Sequence, residues 1–176
     1  SMGKGSAFGI KLYVTSDVRV LNHDAKEDIE CKCKSLDYPD MDTSLMDLCV
    51  KKVYYKLREF DIFNLKNITL KVETKSDIPP GSGLSSSSAA SNSIVYATLM
   101  ELLSEANLSR DDVDITDEDL LNMGIDASLE VGVTKTGSYD DASASFYGGW
   151  KITDNYERKI LHDYIVDYQK VLIYIP

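Results

Sequence analysis

The chain has 176 residues, 43% apolar and 27% charged, with 19 Lys and Arg against 29 Asp and Glu, so its net charge is −10. The length suits one domain with a core large enough to be stable alone, and acidic residues spread along the chain leave no basic face for a nucleic-acid backbone. No run of about 18 apolar residues offers a membrane span, and no basic-plus-apolar leader marks secretion. Cys31, Cys33 and Cys49 form no C-x-x-C pair. That spacing argues against a disulfide framework or a zinc site and for a reducing cytoplasm.

In chain order, Phe8 to Val14 and Val18 to Leu21 read as strands around the turn-prone Thr15-Ser16-Asp17. A third strand is expected over Ile29 to Lys34, where Ile29, Cys31 and Cys33 alternate with Glu30, Lys32 and Lys34. Asp40 to Ser44 supplies helix-starting residues. Leu45, Leu48, Cys49, Lys52, Val53 and Leu57 then keep helical spacing, which predicts a helix over Ser44 to Phe60. Ile68, Leu70 and Val72 alternate with Thr69, Lys71 and Glu73 as in a half-buried strand.

Next comes Ile78-Pro79-Pro80-Gly81-Ser82-Gly83-Leu84, a serine run from Ser85 to Ser88, and a small-residue helix opening at Ala89-Ala90. Its apolar residues, Ile94, Val95, Leu99, Leu102 and Leu103 among them, face more than one side, as in a buried helix. Ser104 to Asp114 is a polar connection. Thr116-x-x-Asp119 resembles a capping box with Asp in place of the usual Glu or Gln, and opens a helix through Leu120, Leu121, Met123 and Leu129. Ser143 to Ile152 reads as a strand in which Gly148-Gly149 marks a bulge or a close backbone approach. Val171 to Ile175 reads as the last strand. Strands first, then helices interleaved with strands, point to an α+β domain.

The passage from strand through Pro-Pro and glycine loop to helix makes an anion site. The first turn of a helix has N–H groups without intrahelical acceptors and carries the positive end of the macrodipole. Gly81 and Gly83 lack Cβ atoms, so the loop can take positive φ and let a polyphosphate approach the backbone. The alternative is a Ser-rich cap on a buried helix. The coincidence of Pro-Pro, Gly-x-Gly and four serines favours the phosphate loop. It is neither a Walker A loop, since no G-x-x-x-x-G-K-[ST] occurs, nor a dinucleotide fingerprint, since Ser86 stands where a third glycine would.

This loop resembles the second motif of the GHMP kinases, Pro-Pro-Gly-x-Gly-Leu-x-Ser-Ser-Ala. With one serine more, Gly81 to Ala89 is similar to the archaeal type of shikimate kinase in that superfamily. Gly3-Lys4-Gly5-Ser6-Ala7-Phe8-Gly9-Ile10 and Gly132-Val133-Thr134-Lys135-Thr136-Gly137-Ser138-Tyr139-Asp140-Asp141-Ala142 agree in order, so the resemblance covers nearly the whole chain. It implies the N-terminal, ATP-binding lobe of the GHMP fold over residues 1–176, related to ribosomal protein S5 domain 2. The family's second lobe, with a third glycine-rich motif, is not in this sequence. The resemblance therefore implies part of a longer enzyme, with weak turnover or none by this chain alone.

The implied activity is phosphorylation of a shikimate ring hydroxyl by ATP with Mg²⁺, a step of aromatic amino-acid biosynthesis. Pro80, Gly81, Ser82, Gly83, Leu84, Ser85, Ser86, Ser87 and Ser88 would hold the nucleotide. Asp140 or Asp141 would be the base: the Asp-Asp-Ala match favours Asp140, counting back from Gly148-Gly149 favours Asp141, and Asp140 is preferred. Glu130, with Ser86 or Ser87, would bind Mg²⁺. Lys4 and Lys135 would meet the acceptor's carboxylate, and Thr134 and Thr136 its hydroxyls. An Asp-Asp turn, a solvent-facing glutamate and exposed lysines are the plain alternatives. His23 and His162 receive no role, and Trp150 reads as core. Homoserine or mevalonate kinase is the competing enzyme. A non-catalytic S5-like binding module is the competing class, disfavoured because it should carry a basic stripe.

Overall fold

The computed structural model describes residues 3–79, 81–167 and 170–173. Among these residues, six strands and four α-helices follow one another as β1 (Lys4–Phe8), β2 (Val14–Asn22), β3 (Ile29–Ser35), α1 (Ser44–Leu57), β4 (Ile68–Ser76), α2 (Ser86–Glu105), α3 (Asp117–Glu130), α4 (Tyr139–Tyr147), β5 (Trp150–Asp154) and β6 (Lys159–Tyr164), with a 3-10 turn at Arg110–Asp112. The strands form two three-stranded sheets, ordered β1-β5-β6 and β2-β4-β3. The first is antiparallel throughout, whereas β4 runs antiparallel to β2 and parallel to β3. The α+β expectation holds.

The β2-β4-β3 sheet turns Val18, Ile29, Ile68, Leu70 and Val72 onto the helices. Against them pack Val50, Val53, Tyr54 and Leu57 of α1 and Ile94, Leu99 and Leu102 of α2, all but Val18 fully or almost fully buried. Helix α2 is the hub, touching α1, α3, α4, β2 and β4. A second cluster of Leu121, Ile125, Tyr139 and Ala142 joins α3 to α4. Gly124 lets α3 approach α2 closely: a Cβ there would lie 3.2 Å from Ser91 Cβ. Cys31, Cys33 and Cys49 are free thiols, and burial pushes Cys49 up to about 12.

The capping box is formed as the sequence predicts. The Thr116 hydroxyl accepts from Asp119 N–H at 3.1 Å, and Asp119 Oδ2 accepts from Thr116 N–H at 2.8 Å. Both satisfy donors that the start of a helix leaves open. Thr116→Ala is therefore expected to cost about 1 kcal/mol in urea unfolding.

Four local readings are corrected. Thr15-Ser16-Asp17 is no turn: it continues β2, paired with Lys75, Thr74 and Glu73 of β4, because cross-strand pairing overrides local turn preference. The first strand ends at Phe8, and the loop that follows is drawn to the Gly148-Gly149 corner by a Gly9 N–H to Gly149 carbonyl bond of 2.9 Å. Ser143 to Tyr147, expected as the start of a strand, belong to a helix over Tyr139–Tyr147, since helical spacing buries Tyr139 and Ala142 in the second cluster. Gly148, at φ +68°, closes α4 and β5 begins at Trp150. Close backbone approach at the glycine pair is real, as a Cβ on Gly149 would lie 2.7 Å from the Tyr164 carbonyl oxygen. Trp150 is 46% exposed, not core, and its Nε1 donates to Ser6 Oγ at 2.6 Å.

Strand β6 has no clear alternation to announce it. It pairs with β5 across a turn where Asp154 Oδ1 accepts from the N–H groups of Tyr156 and Glu157. Residues 171–173 belong to no strand, and 174–175 lie outside the described residues.

Candidate active site

A cleft of about 1080 Å³ opens between the β1-to-β2 segment, the loop before α2, and α4. Phe8, Tyr13 and Tyr96 line its apolar wall, and Gly83, Ser85 and Asp141 contribute its polar side. The loop has the backbone that the glycines foretell, with Gly81 at φ +68° and Gly83 at φ +72° and open space where their Cβ atoms would stand. Ser85 is also left-handed, at φ +55°, a region that a non-glycine residue enters at some cost.

No side chain caps α2, whose first turn consists of Ser86, Ser87 and Ser88. Its first backbone N–H groups therefore remain available to an anion. Ser82 Oγ is buried with no hydrogen-bond partner among the described residues. Open space at two glycines, an uncapped helix start and an orphaned hydroxyl all suit a polyphosphate. Pro80 lies outside the described residues.

Asp140 and Asp141 both sit in the first turn of α4. Successive helical residues are about 100° apart around the axis, so the two carboxylates cannot serve the same side. Asp140 turns to β1 and the residue after β5: Asn155 Nδ2 donates to Asp140 Oδ1 at 3.0 Å, and Asp140 N–H donates to Asn155 Oδ1 at 2.9 Å. Asp141 lines the cleft with Ser85. Desolvation raises the Asp141 carboxyl above the usual range, the charge of Asp140 adds to the rise, and a hydrogen bond from Ser85 opposes both. A carboxylate raised this way and placed beside a phosphate loop suits proton transfer.

The other predicted residues stand elsewhere. Among the described residues, the cleft lining includes none of Lys4, Glu130, Thr134, Lys135 or Thr136. Glu130, at the end of α3, pairs with Lys52 of α1 at 2.5 Å. Lys4 is exposed on β1 opposite Asp154, and Lys135 is exposed in the loop before α4. Thr134 Oγ1 accepts weakly from Thr136 N–H and Gly137 N–H at 3.4 and 3.3 Å, folding that loop toward Ser138. His23 pairs with Glu105, and His162 stacks on Tyr164.

Sequence reasoning missed Asn92 and Asn155. Asn92 of α2 donates to the Ala142 carbonyl at 3.0 Å and so fixes α4 to the helix that follows the glycine loop. An asparagine inside a buried helix was the available signal. Asn155 reads as an ordinary turn residue after a strand.

The family profile for the GHMP kinases N terminal domain matches residues 49–149, and the chain belongs to that family. Among curated proteins, it is 44% identical to the shikimate kinase of Methanothermobacter thermautotrophicus over 99% of this chain and 54% of that protein. It is 37% identical to the shikimate kinase of Pyrococcus abyssi over 99% of this chain and 57% of that protein. The chain thus spans about half the length of the curated relatives it matches.

Among solved structures, Methanococcus jannaschii mevalonate kinase superposes with TM-score 0.60 at 15% identity, over 95% of this chain and 50% of that one. L. major mevalonate kinase in complex with R-mevalonate gives TM-score 0.55 at 17% identity, over 85% and 42%. These two likenesses establish the fold. Among the described residues no helix is long and apolar enough to cross a membrane.

Proposed function

We propose that this chain is the ATP-binding lobe of a shikimate kinase, which transfers the γ-phosphoryl group of ATP to a ring hydroxyl and yields ADP and 3-phosphoshikimate. One observation carries the reading: the glycine–serine loop and the raised carboxyl of Asp141 share one cleft. The 44% identity to a shikimate kinase over 99% of this chain supports shikimate as the acceptor.

The acceptor oxygen attacks the γ-phosphorus as the bond to the β–γ bridging oxygen breaks, and Asp141 takes the hydroxyl proton. Gly81 to Ser88 hold the phosphates through backbone N–H groups and hydroxyls. Mg²⁺ bound to ATP would neutralise charge on the phosphates. Such an ion needs few protein ligands, so a hydroxyl of Ser86 or Ser87 and one carboxylate are enough. Glu130 would be that carboxylate only after releasing Lys52 and reaching the loop, since it stands outside the cleft lining. Lys4, Lys135, Thr134 and Thr136 remain the side chains proposed for the acceptor, which requires their two segments to close on the cleft.

A coupled ADP-release assay on the full-length protein with shikimate, homoserine and mevalonate tests the proposal. Turnover should depend on shikimate. Turnover with either of the others alone would reassign the acceptor, and none with any of them would defeat the kinase reading.

A further inference from the structure

Helix α4 begins without a side-chain cap of its own, since Ser138 makes no capping hydrogen bond. The cap comes from outside the helix. Asn155, 7% exposed just after β5, accepts the Asp140 N–H through Oδ1, which also accepts from the Thr153 hydroxyl at 2.7 Å. Its Nδ2 holds the Asp140 carboxylate, and its own N–H donates to the Gly3 carbonyl at 2.9 Å. β1 closes a further side, because a Cβ on Gly5 would lie 2.4 Å from Asp140 Oδ2. Asp140 therefore has one orientation, and with the helix start fixed, so has the next residue.

We infer that Asn155 is a positioning residue: by capping α4 and holding Asp140 against β1, it sets the direction in which Asp141 enters the cleft. Its catalytic consequence rests on the kinase reading above. The contact is reciprocal and partly buried, so it resists rotation about the helix axis better than a single exposed bond. Small errors in the placement of a base are costly in rate, whereas nucleotide binding depends on a different loop.

The test uses the full-length protein with three changes. Asn155→Asp places a second carboxylate against Asp140, Asn155→Ser shortens the reach without adding charge, and Asp140→Asn with Asn155→Asp exchanges the partners so that an amide again faces a carboxylate. Asn155→Asp and Asn155→Ser should each lower kcat about tenfold with KM for ATP within about twofold. The Asp141 carboxyl titration, followed by carbon-13 NMR, should move upward in Asn155→Asp by about half a pH unit or more. The exchanged pair should recover both.

A lower thermal midpoint with kcat and the Asp141 titration unchanged would make Asn155 a structural brace only and overturn the inference. So would an exchanged pair that folds but recovers neither. If Asn155→Asp fails to fold, Asn155→Ser and the exchanged pair carry the same decision. Absence of kinase activity in the unsubstituted protein would defeat the functional reading alone, because the titration still decides whether Asn155 controls Asp141.

Discussion

Asp141→Asn in the full-length protein is expected to lower kcat by about 10²-fold or more while ATP affinity stays within about twofold. The amide keeps the shape and the Ser85 contact, but it cannot take a proton from the acceptor. Asp140→Asn should cost far less, because the oxygen of the new amide still accepts from Asn155 Nδ2. Stability should change in the opposite direction. The folded-state carboxyl of Asp141 is raised by burial and by Asp140, so the folded chain holds that proton to higher pH than the unfolded chain does. Stability from this group is therefore present below its unfolded pKa and is lost as pH rises toward the folded value. At neutral pH the ionised group is a net cost, and Asp141→Asn should raise the thermal midpoint. A larger kcat loss for Asp140→Asn than for Asp141→Asn would reverse the assignment.

Gly83→Val should remove measurable ATP binding, a loss of about 10²-fold or more in calorimetric affinity. Gly83 sits at φ +72°, where a β-branched residue is a true outlier, and the strain alone is worth on the order of 1–3 kcal/mol. Among the described residues, chain neighbours aside, no atom lies within 4 Å of the position its Cβ would take, so the substitution meets no neighbour in the loop. The fold should survive, as circular dichroism can check, and the bulk should occupy space that a phosphate enters. Unchanged affinity with the fold intact would remove the phosphate-loop assignment.

Long periodic elements were legible in the sequence for physical reasons. Helix α1, strand β3 and strand β4 each bury one face, so their patterns carry the period of the element. Helix α2 is apolar on more than one side because it is packed on several sides. Where partners decide, local signals misled. The first half of β2 looks like a turn until β4 lies beside it, and α4 is too short for nine residues rich in Ala and Ser to show a helical period. At the site, the glycine–serine loop was readable because backbone chemistry requires those residues. The choice between Asp140 and Asp141 was not, since it depends on a helix start one residue either way and on Asn155, which lies 15 positions beyond Asp140.

Pairing of β1 with β5 joins Lys4 to Asp154 and Phe8 to Trp150, partners separated by most of the described chain. The loop closed by such a pair is long, and its entropy must be met before the ladder gains anything. The β2-β4-β3 sheet, α1 and α2 all lie within residues 14–105, so that part of the molecule can begin to order first, with the glycine loop already on its helix and α3 completing the core later. The Asp140 clamp, built from Gly5, α4 and Asn155, must wait until residue 155 has left the ribosome and β1 has been captured. In time-resolved hydrogen exchange, β4 and α2 should gain protection before β1 and β5. The two faces of the cleft would then mature at different moments, the proposed anion cradle early and the proposed base last, so a folding intermediate would bind phosphate before it could use it.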